Sequence, residues 1–310
     1  MKSKWFIYLS LVFAMAVWSY SYVLIKIVYS YDVPPSMLVF FRLVIAASSL
    51  LLFSKLTGKL QKIKKKDRKL FLFLAVFEPV LYYIGESNGL MFVTPTVGSI
   101  IIATIPVFTP FVLYLYYSEK MDRSNLFGIV ISFIGVMLVI FDDNYQLSAS
   151  GKGIAFMFFA VMSALGYTVI IKRLTQKYNS YTIVAMQTSI GAILYLPIFL
   201  LTDFSALNQI TYTWELFSYI AVLAVFATTI AYIIFSSGIR EIGATKATIF
   251  ANLIPVLTAL MAVLSGMELM PMRKLLGVLI VIAGVFLSQS KKPFLGLPGM
   301  VSNYFTKKNS

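Results

Sequence analysis

Apolar residues in this chain come in long runs separated by short polar turns, and the pattern repeats ten times. The runs lie near residues 5–27, 36–54, 70–91, 95–117, 125–141, 153–171, 181–201, 215–236, 246–265 and 274–290. Crossing a bilayer takes a helix of about 20 apolar residues, and most of these runs have that length. The connections between them are mostly shorter than about fifteen residues, too short for a soluble domain. The pattern predicts an all-α polytopic membrane protein with ten transmembrane helices. Composition agrees: 59% of the 310 residues are hydrophobic and 12% are charged, against about 25% charged in a soluble domain.

Proline marks where those helices depart from straight rods. Pro79, Pro106, Pro110 and Pro255 fall inside spans three, four and nine, where neighbouring helices can satisfy the freed carbonyls. Bends that shape a cavity and bends without function are both compatible with them. The first span also imitates a secretory signal, with Lys2 and Lys4 before an apolar stretch and Ala14-Met15-Ala16 as a cleavage site. Its apolar run continues to Val28, so a retained first helix is expected.

Charge gives the expected topology. With the N-terminus inside, 21 of the 26 Lys and Arg fall in inside segments and three fall outside (Lys152, Arg273 and Lys274). The positive-inside rule therefore predicts a multi-pass protein of the cell (inner) membrane with both termini in the cytoplasm. The run KIKKKDRK at 62–69 reads as a topology determinant attracted to anionic lipid. No aromatics interleave with it, so nucleic acid is not an expected partner. With no His and no Cys in the chain, haem and iron–sulfur ligation, disulfides, the usual zinc sites and His-based triads are excluded. No metal or cofactor is expected.

An internal repeat organises the whole chain. Gly89, Pro106, Glu119, Gly128 and Gly135 recur 149 residues later as Gly238, Pro255, Glu268, Gly277 and Gly284. IPVFT at 105–109 answers to IPVLT at 254–258, Tyr83 answers to Tyr232, and Lys26 answers to Lys172 at a slightly smaller offset. Span one is thus the equivalent of span six, which is why the first helix is expected to be retained. The expected units are residues 1–145 and 150–290, followed by a cytoplasmic tail at 291–310. Five spans is an odd number, so the second unit enters the membrane from the opposite side. Inverted repeats of this kind are a transporter architecture. The Gly128/Gly135 and Gly277/Gly284 pairs each share a helix face and read as close-packing sites.

These residues also resemble a known family. WSYSYVLIK at 18–26, Pro35 followed by FFR at 40–42, the stretch from Gly89 to Lys120, and its counterpart from Gly238 to Glu268 are similar to the ten-helix EamA-type permeases of the drug/metabolite transporter superfamily. The resemblance spans about residues 5–290. It implies ten helices, cytoplasmic termini, a central cavity between the halves, and movement of small metabolites, often outward.

Candidate site residues follow from burial cost. Glu78 and Glu86 lie about 12 and 24 Å into the third span at 1.5 Å rise per residue. On a regular helical wheel they share a broad face. An ionised carboxylate at a membrane-helix centre costs about 2.5–3.5 kcal/mol on insertion scales, so such a group pairs, faces water or stays protonated. Each is a candidate for proton coupling or for holding a substrate amine, with a structural ion pair as the alternative. Arg42, in span two, can hold a substrate carboxylate, lock to Glu86 or snorkel to the interface. Their repeat equivalents are Gln187, Ala227 and Phe235, so the halves share a frame and not a charge distribution. Gln187 and Asn252 are candidates for interhelical hydrogen bonds or cavity lining. Trp18, Tyr22, Tyr82, Tyr83, Tyr167 and Tyr232 lie on helices that the resemblance places around the cavity. Lys26 and Lys172 end their spans and are expected to reach the interface.

The expected function is secondary transport of a small metabolite, an amino acid or similar, by alternating access, in the export direction and with protons as a candidate coupling ion. No Walker sequence accompanies it. A monomer suffices because both halves are in one chain, and a dimer stays open. The alternative is an intramembrane enzyme acting on a lipid or lipid-linked substrate. That reading lacks His, a metal-ligand cluster and a loop long enough to hold a head group.

Overall fold

A computed structural model describes residues 4–118, 123–141 and 149–289. Glu119, the first-half counterpart of Glu268, and the expected tail at 291–310 lie outside the described residues. Every regular element among the described residues is helical. Ten helical segments follow in order: α1 Lys4–Tyr29, α2 Pro35–Leu56, α3 Lys65–Phe92, α4 Pro95–Tyr117, α5 Arg123–Ile140, α6 Gly151–Leu174, α7 Ser180–Thr202, α8 Trp214–Ile242, α9 Ala244–Leu264 and α10 Met272–Gln289. Eight of them are long and apolar enough to cross a membrane, with a shorter apolar helix at Leu126–Ile140. Trp5, Leu201, Trp214 and Leu269 stand largely out on the surface, and Leu279 and Phe286 of α10 are more than half exposed. So much exposed apolar surface is at odds with an aqueous surround and suits hydrocarbon. The chain is an all-α polytopic membrane protein.

Helix ends are set by local chemistry. Asn179 caps α7 by accepting from the Thr182 amide at 2.8 Å, and Thr213 caps α8 by accepting from the Leu216 amide at 3.2 Å. A single residue, Gly243 at φ 87°, turns α8 into α9, a conformation that a Cβ disfavours. α8 runs to Ile242 rather than ending near 236, because Ser236 and Ile239 keep one face buried while Arg240 and Glu241 reach out. Hydropathy falls there before helicity does.

Four helices are irregular, and their irregularities fall at matching places. α3 carries a π-helical turn at Val76–Leu81 and α8 one at Leu223–Ile230. α4 breaks at Ala103–Thr104, and α9 tightens to a 3-10 turn at Phe250–Asn252. Both α4 and α9 break just before the prolines of IPVFT and IPVLT, which lack an N–H and crowd the preceding turn. Glu78 inside the first π-turn is extended, at φ −147° and ψ 116°, the region that a following proline favours. The regular helical wheel for Glu78 and Glu86 therefore does not apply, although both still reach one cavity.

The packing is paired. α2 lies along α7, α3 along α6, α1 against α8 and α9, and α5 along α10. In the last pair, a Cβ on Gly135 would come within 2.7 Å of the Val281 backbone, and one on Gly284 within 2.5 Å of the Ser132 backbone. The seven-residue glycine spacing is thus a close-packing face.

Both ends of the bundle are tied. Lys177 pairs with buried Asp67 at 2.6 Å, and the Tyr178 hydroxyl donates to the same carboxylate at 2.9 Å. The Gln61 amide donates to Thr182 Oγ1 at 2.8 Å, fastening the basic α2–α3 connection onto the start of α7. At the far end, the Ser36 amide and hydroxyl donate to Asp203, and the Thr96 amide donates to Glu268 Oε1 at 2.9 Å.

Candidate functional site

Among the described residues seven helices wall a central cavity, in which the centre of a water molecule can occupy about 80 Å³. A single buried water needs about 10–15 Å³ by this measure, so the cavity takes several waters or one small molecule. Arg42, Glu78, Glu86, Trp18, Tyr22, Tyr82 and Tyr232 all line it. Tyr83 and Tyr167 line it too. Gln187 and Asn252 are buried but are not part of its wall. The Gln187 carbonyl oxygen and both polar atoms of the Asn252 amide lack a hydrogen-bond partner among the described residues.

Arg42 is 2% exposed. Its Nε donates to Thr228 Oγ1 at 3.3 Å and its Nη2 to the Tyr83 hydroxyl at 3.4 Å. The guanidinium carbon stands 4.7 Å from the centre of the Tyr83 ring. Nη1 has no partner among the described residues, and no ion pair joins Arg42 to Glu86 or to Glu78. Of the three roles the sequence left open, locking to Glu86 is absent from this arrangement, and a side chain 2% exposed does not snorkel. A buried guanidinium nitrogen without an acceptor is costly, and a ligand oxygen in the cavity would remove that cost.

Each carboxylate is held by tyrosine. The Tyr232 hydroxyl donates to Glu78 Oε1 across the cavity. The Tyr82 hydroxyl donates to Glu86 Oε1 at 2.9 Å from one turn earlier on the same helix, and Tyr22 lies within interaction range of Glu86 and Tyr82. Trp18 sits edge-on to Tyr232 and Phe235 at 5.2 Å between ring centres. Its indole N–H donates to the Ala227 carbonyl at 3.0 Å.

The expectations missed Thr228, Phe235 and the small polar residues Ser21, Thr168 and Thr248 in or beside the wall. Thr228 reaches Arg42 from the α8 π-turn, where its hydroxyl also donates to the Leu223 carbonyl five residues back at 3.1 Å. A threonine in an apolar run carries no signal for that turn. Phe235 could have been found, because it occupies the repeat position of Glu86. Lys172 lies over the Tyr117 ring at 4.5 Å at the end of α6, and half-buried Lys26 is within the field of Glu268.

Among the described residues no cluster of three or more His, Cys, Asp or Glu could hold a metal ion. The arrangement can bind and release a small polar molecule between one cation and two carboxylates, against aromatic walls.

Known proteins resemble this chain along most of its length. The model of the EamA-like transporter family matches twice, over residues 5–141 and 151–289. An uncharacterized transporter of Archaeoglobus fulgidus is 26% identical over 94% of this chain and 99% of its own length. The uncharacterized transporter YetK of Bacillus subtilis is 25% identical over 92% of this chain and 87% of its own. A solved crystal structure matches with a TM-score of 0.68 over 90% of this chain and 97% of that one, at 13% identity, a likeness of fold alone. These names point to transporters rather than enzymes, and with the family's model matched across nearly its whole length, the chain belongs to the EamA-like transporter family.

Proposed function

We propose that the protein is a secondary transporter that carries a small metabolite, an amino acid or similar, through the central cavity by alternating access. The observation that carries this reading is Arg42: a buried cation in the cavity wall, one of whose nitrogens has no partner among the described residues. In this reading Arg42 holds the substrate carboxylate and Glu86 or Glu78 holds its amine. Glu78 is the candidate proton carrier, because protonating it leaves the Tyr232 hydroxyl free to swing away. Transport runs outward across the cell membrane, with both termini in the cytoplasm. The two matches to one family model support a chain built of two five-helix units, and the lysine and arginine count supports their inversion. One chain encloses the whole cavity, so a monomer suffices.

The test is uptake into sealed proteoliposomes holding a trapped pH dye, with amino acids, sugars and other small metabolites supplied one class at a time. Substrate-dependent proton movement that Glu78→Gln abolishes supports coupled transport. Labelled substrate crossing without a pH change, in both the parent and Glu78→Gln, removes the coupling and leaves the transport. No movement of any class removes the reading.

A further inference from the structure

Two seams in the bundle are repeat equivalents: α1 against α8, and α6 against α3. α6 answers to α1 at the offset that relates Lys26 to Lys172, and α8 answers to α3 at 149. Near the C-terminal ends of α3 and α8 the seams are packed alike. A Cβ on Gly238 would lie 2.7 Å from the Leu11 side chain. One on Gly89, its equivalent, would lie 2.6 Å from the side chain of Met157, the equivalent of Leu11. The ties to the π-turns also match. The Trp18 indole of α1 donates to the Ala227 carbonyl of α8 at 3.0 Å, and the Ser163 hydroxyl of α6 donates to the Phe77 carbonyl of α3.

Beside those ties the seams differ. In the α3–α6 seam a Cβ on Gly166 would stand 2.5 Å from the Phe77 ring, so the ring lies on bare α6 backbone and closes the seam. The equivalents in the α1–α8 seam are Tyr20 and Phe226. A tyrosine stands where the glycine is needed, Phe226 has no bare backbone to lie on, and the two side chains stand 43% and 41% exposed. Beneath them Ser21 and Ala227 take the positions of Tyr167 and Glu78. The result is a hollow between Phe13 to Leu24 of α1 and Val222 to Ala227 of α8, where the centre of a water-sized sphere could occupy about 340 Å³. Gaps in a close-packed interior are rarely larger than one water.

The hollow runs about 16 Å along α1 at 1.5 Å rise per residue and lies well inside both ends of that helix. Tyr20 and Ser21 bring its only side-chain polar atoms, and Ser21 Oγ is spent on the Trp18 carbonyl of its own helix at 2.6 Å. An apolar hollow does not hold water, and at this depth a bilayer offers hydrocarbon. Ser21 also stands in the wall of the central cavity, the one residue common to both linings among the described residues.

We propose that the α1–α8 hollow is a binding site for one acyl chain of a bilayer lipid, and that this chain backs the wall of the central cavity behind Ser21 and Trp18. The equivalent seam has Phe77 in the same place and needs no lipid.

Trp18 is the reporter, because its indole is bonded to a residue lining the hollow and the chain has only two other tryptophans. Trp5→Phe and Trp214→Phe leave it alone. The probe is phosphatidylcholine brominated in the middle of its acyl chains, since bromine quenches indole emission only near contact. In vesicles of that lipid, Trp18 emission should be at least threefold lower than in ordinary phosphatidylcholine. Ala16→Phe, which fills the hollow from α1, should restore at least half of the lost emission. Tyr20→Gly, which gives Phe226 the bare backbone that Phe77 has on Gly166, should do the same and serves where Ala16→Phe does not fold. No quenching in the parent, or equal quenching in the parent and the filled variants, overturns the inference: no chain then reaches Trp18 through the hollow. Quenching that appears only on dilution to one protein per vesicle gives the hollow to a second copy of the chain. Quenching relieved by one of the metabolite classes of the uptake assay gives it to the cargo. Either result overturns the lipid site.

Discussion

α3 and α8 are the same helix built twice. Each carries a π-turn at the same level, each puts a tyrosine of the repeat pair Tyr83 and Tyr232 into the cavity wall, and each lends a π-turn carbonyl to the first helix of the other repeat. Their chemistry is opposite. Where α3 places Glu78 and Glu86, α8 places Ala227 and Phe235. Backbone shape has been kept on both sides of the cavity while charge has been kept on one. On the proposed transport reading, shape shared by both halves suits a motion that runs in two directions, and charge confined to one suits a cargo with a polar head and an apolar flank.

Breaking the charged side should have the largest effect. Arg42→Leu removes the one cation that lines the cavity among the described residues, and hydrogen bonds to charged groups are worth about 1.5–3 kcal/mol. Half-saturation for the identified substrate should rise by about 10–100-fold on that scale. Arg42→Lys should recover only part of this, because a lysine cannot keep Thr228, Tyr83 and a ligand oxygen on one planar fork. An unchanged concentration dependence in Arg42→Leu proteoliposomes would take Arg42 out of the binding site.

Tyr232→Phe comes next, since it cuts the tie from α8 to Glu78 and leaves the carboxylate buried without its donor. Proton-coupled uptake should fall several-fold, with the protein still inserted and monodisperse. Tyr82→Phe, which only loosens a bond within α3 to Glu86, should do less. Equal losses in the two variants would mean that crossing the cavity has no special consequence for the Glu78 bond.

Much of this was legible in the sequence, for identifiable reasons. Hydropathy marks a helix wherever a bilayer demands one, so the ten runs matched ten helical segments to within a few residues at most ends. Glu78, Glu86 and Arg42 stood out because charge inside an apolar run is expensive. What hydropathy does not carry is helix phase. Pro79 announces an irregular turn in α3, but nothing comparable announces the π-turn at Leu223–Ile230, and so Thr228 went unseen as the partner of Arg42. Gln187 and Asn252 carried the same polar signal as the cavity residues and are not part of its wall, because polarity alone does not say which way a side chain turns.

The close-packed contacts of the two repeats offer a smaller test of their equivalence. Gly89→Ala and Gly238→Ala would each push a methyl group into a side chain of the opposing first helix, and overpacking typically costs about 1–3 kcal/mol. The neighbours differ in compliance: Met157 is unbranched and has three rotatable bonds, whereas Leu11 is branched and stiffer. Gly238→Ala should therefore lower the thermal midpoint in detergent more than Gly89→Ala does. The reverse order would mean that the α3–α6 contact is the tighter of the two.

Asn252 sharpens the comparison at its quiet end. It sits in the 3-10 turn of α9, at the repeat position of Ala103 in the α4 break. Its amide is buried, with neither polar atom hydrogen-bonded among the described residues. Replacing an unsatisfied buried polar group by an apolar one of similar shape is close to neutral or stabilising, and Ala103 shows that the equivalent break forms without an amide. Asn252→Leu should hold or raise the thermal midpoint and leave transport within about twofold. A loss of transport with the midpoint unchanged would instead bring Asn252 into the cavity during the cycle, by a turn of α9 about its break, and would make that break a working hinge.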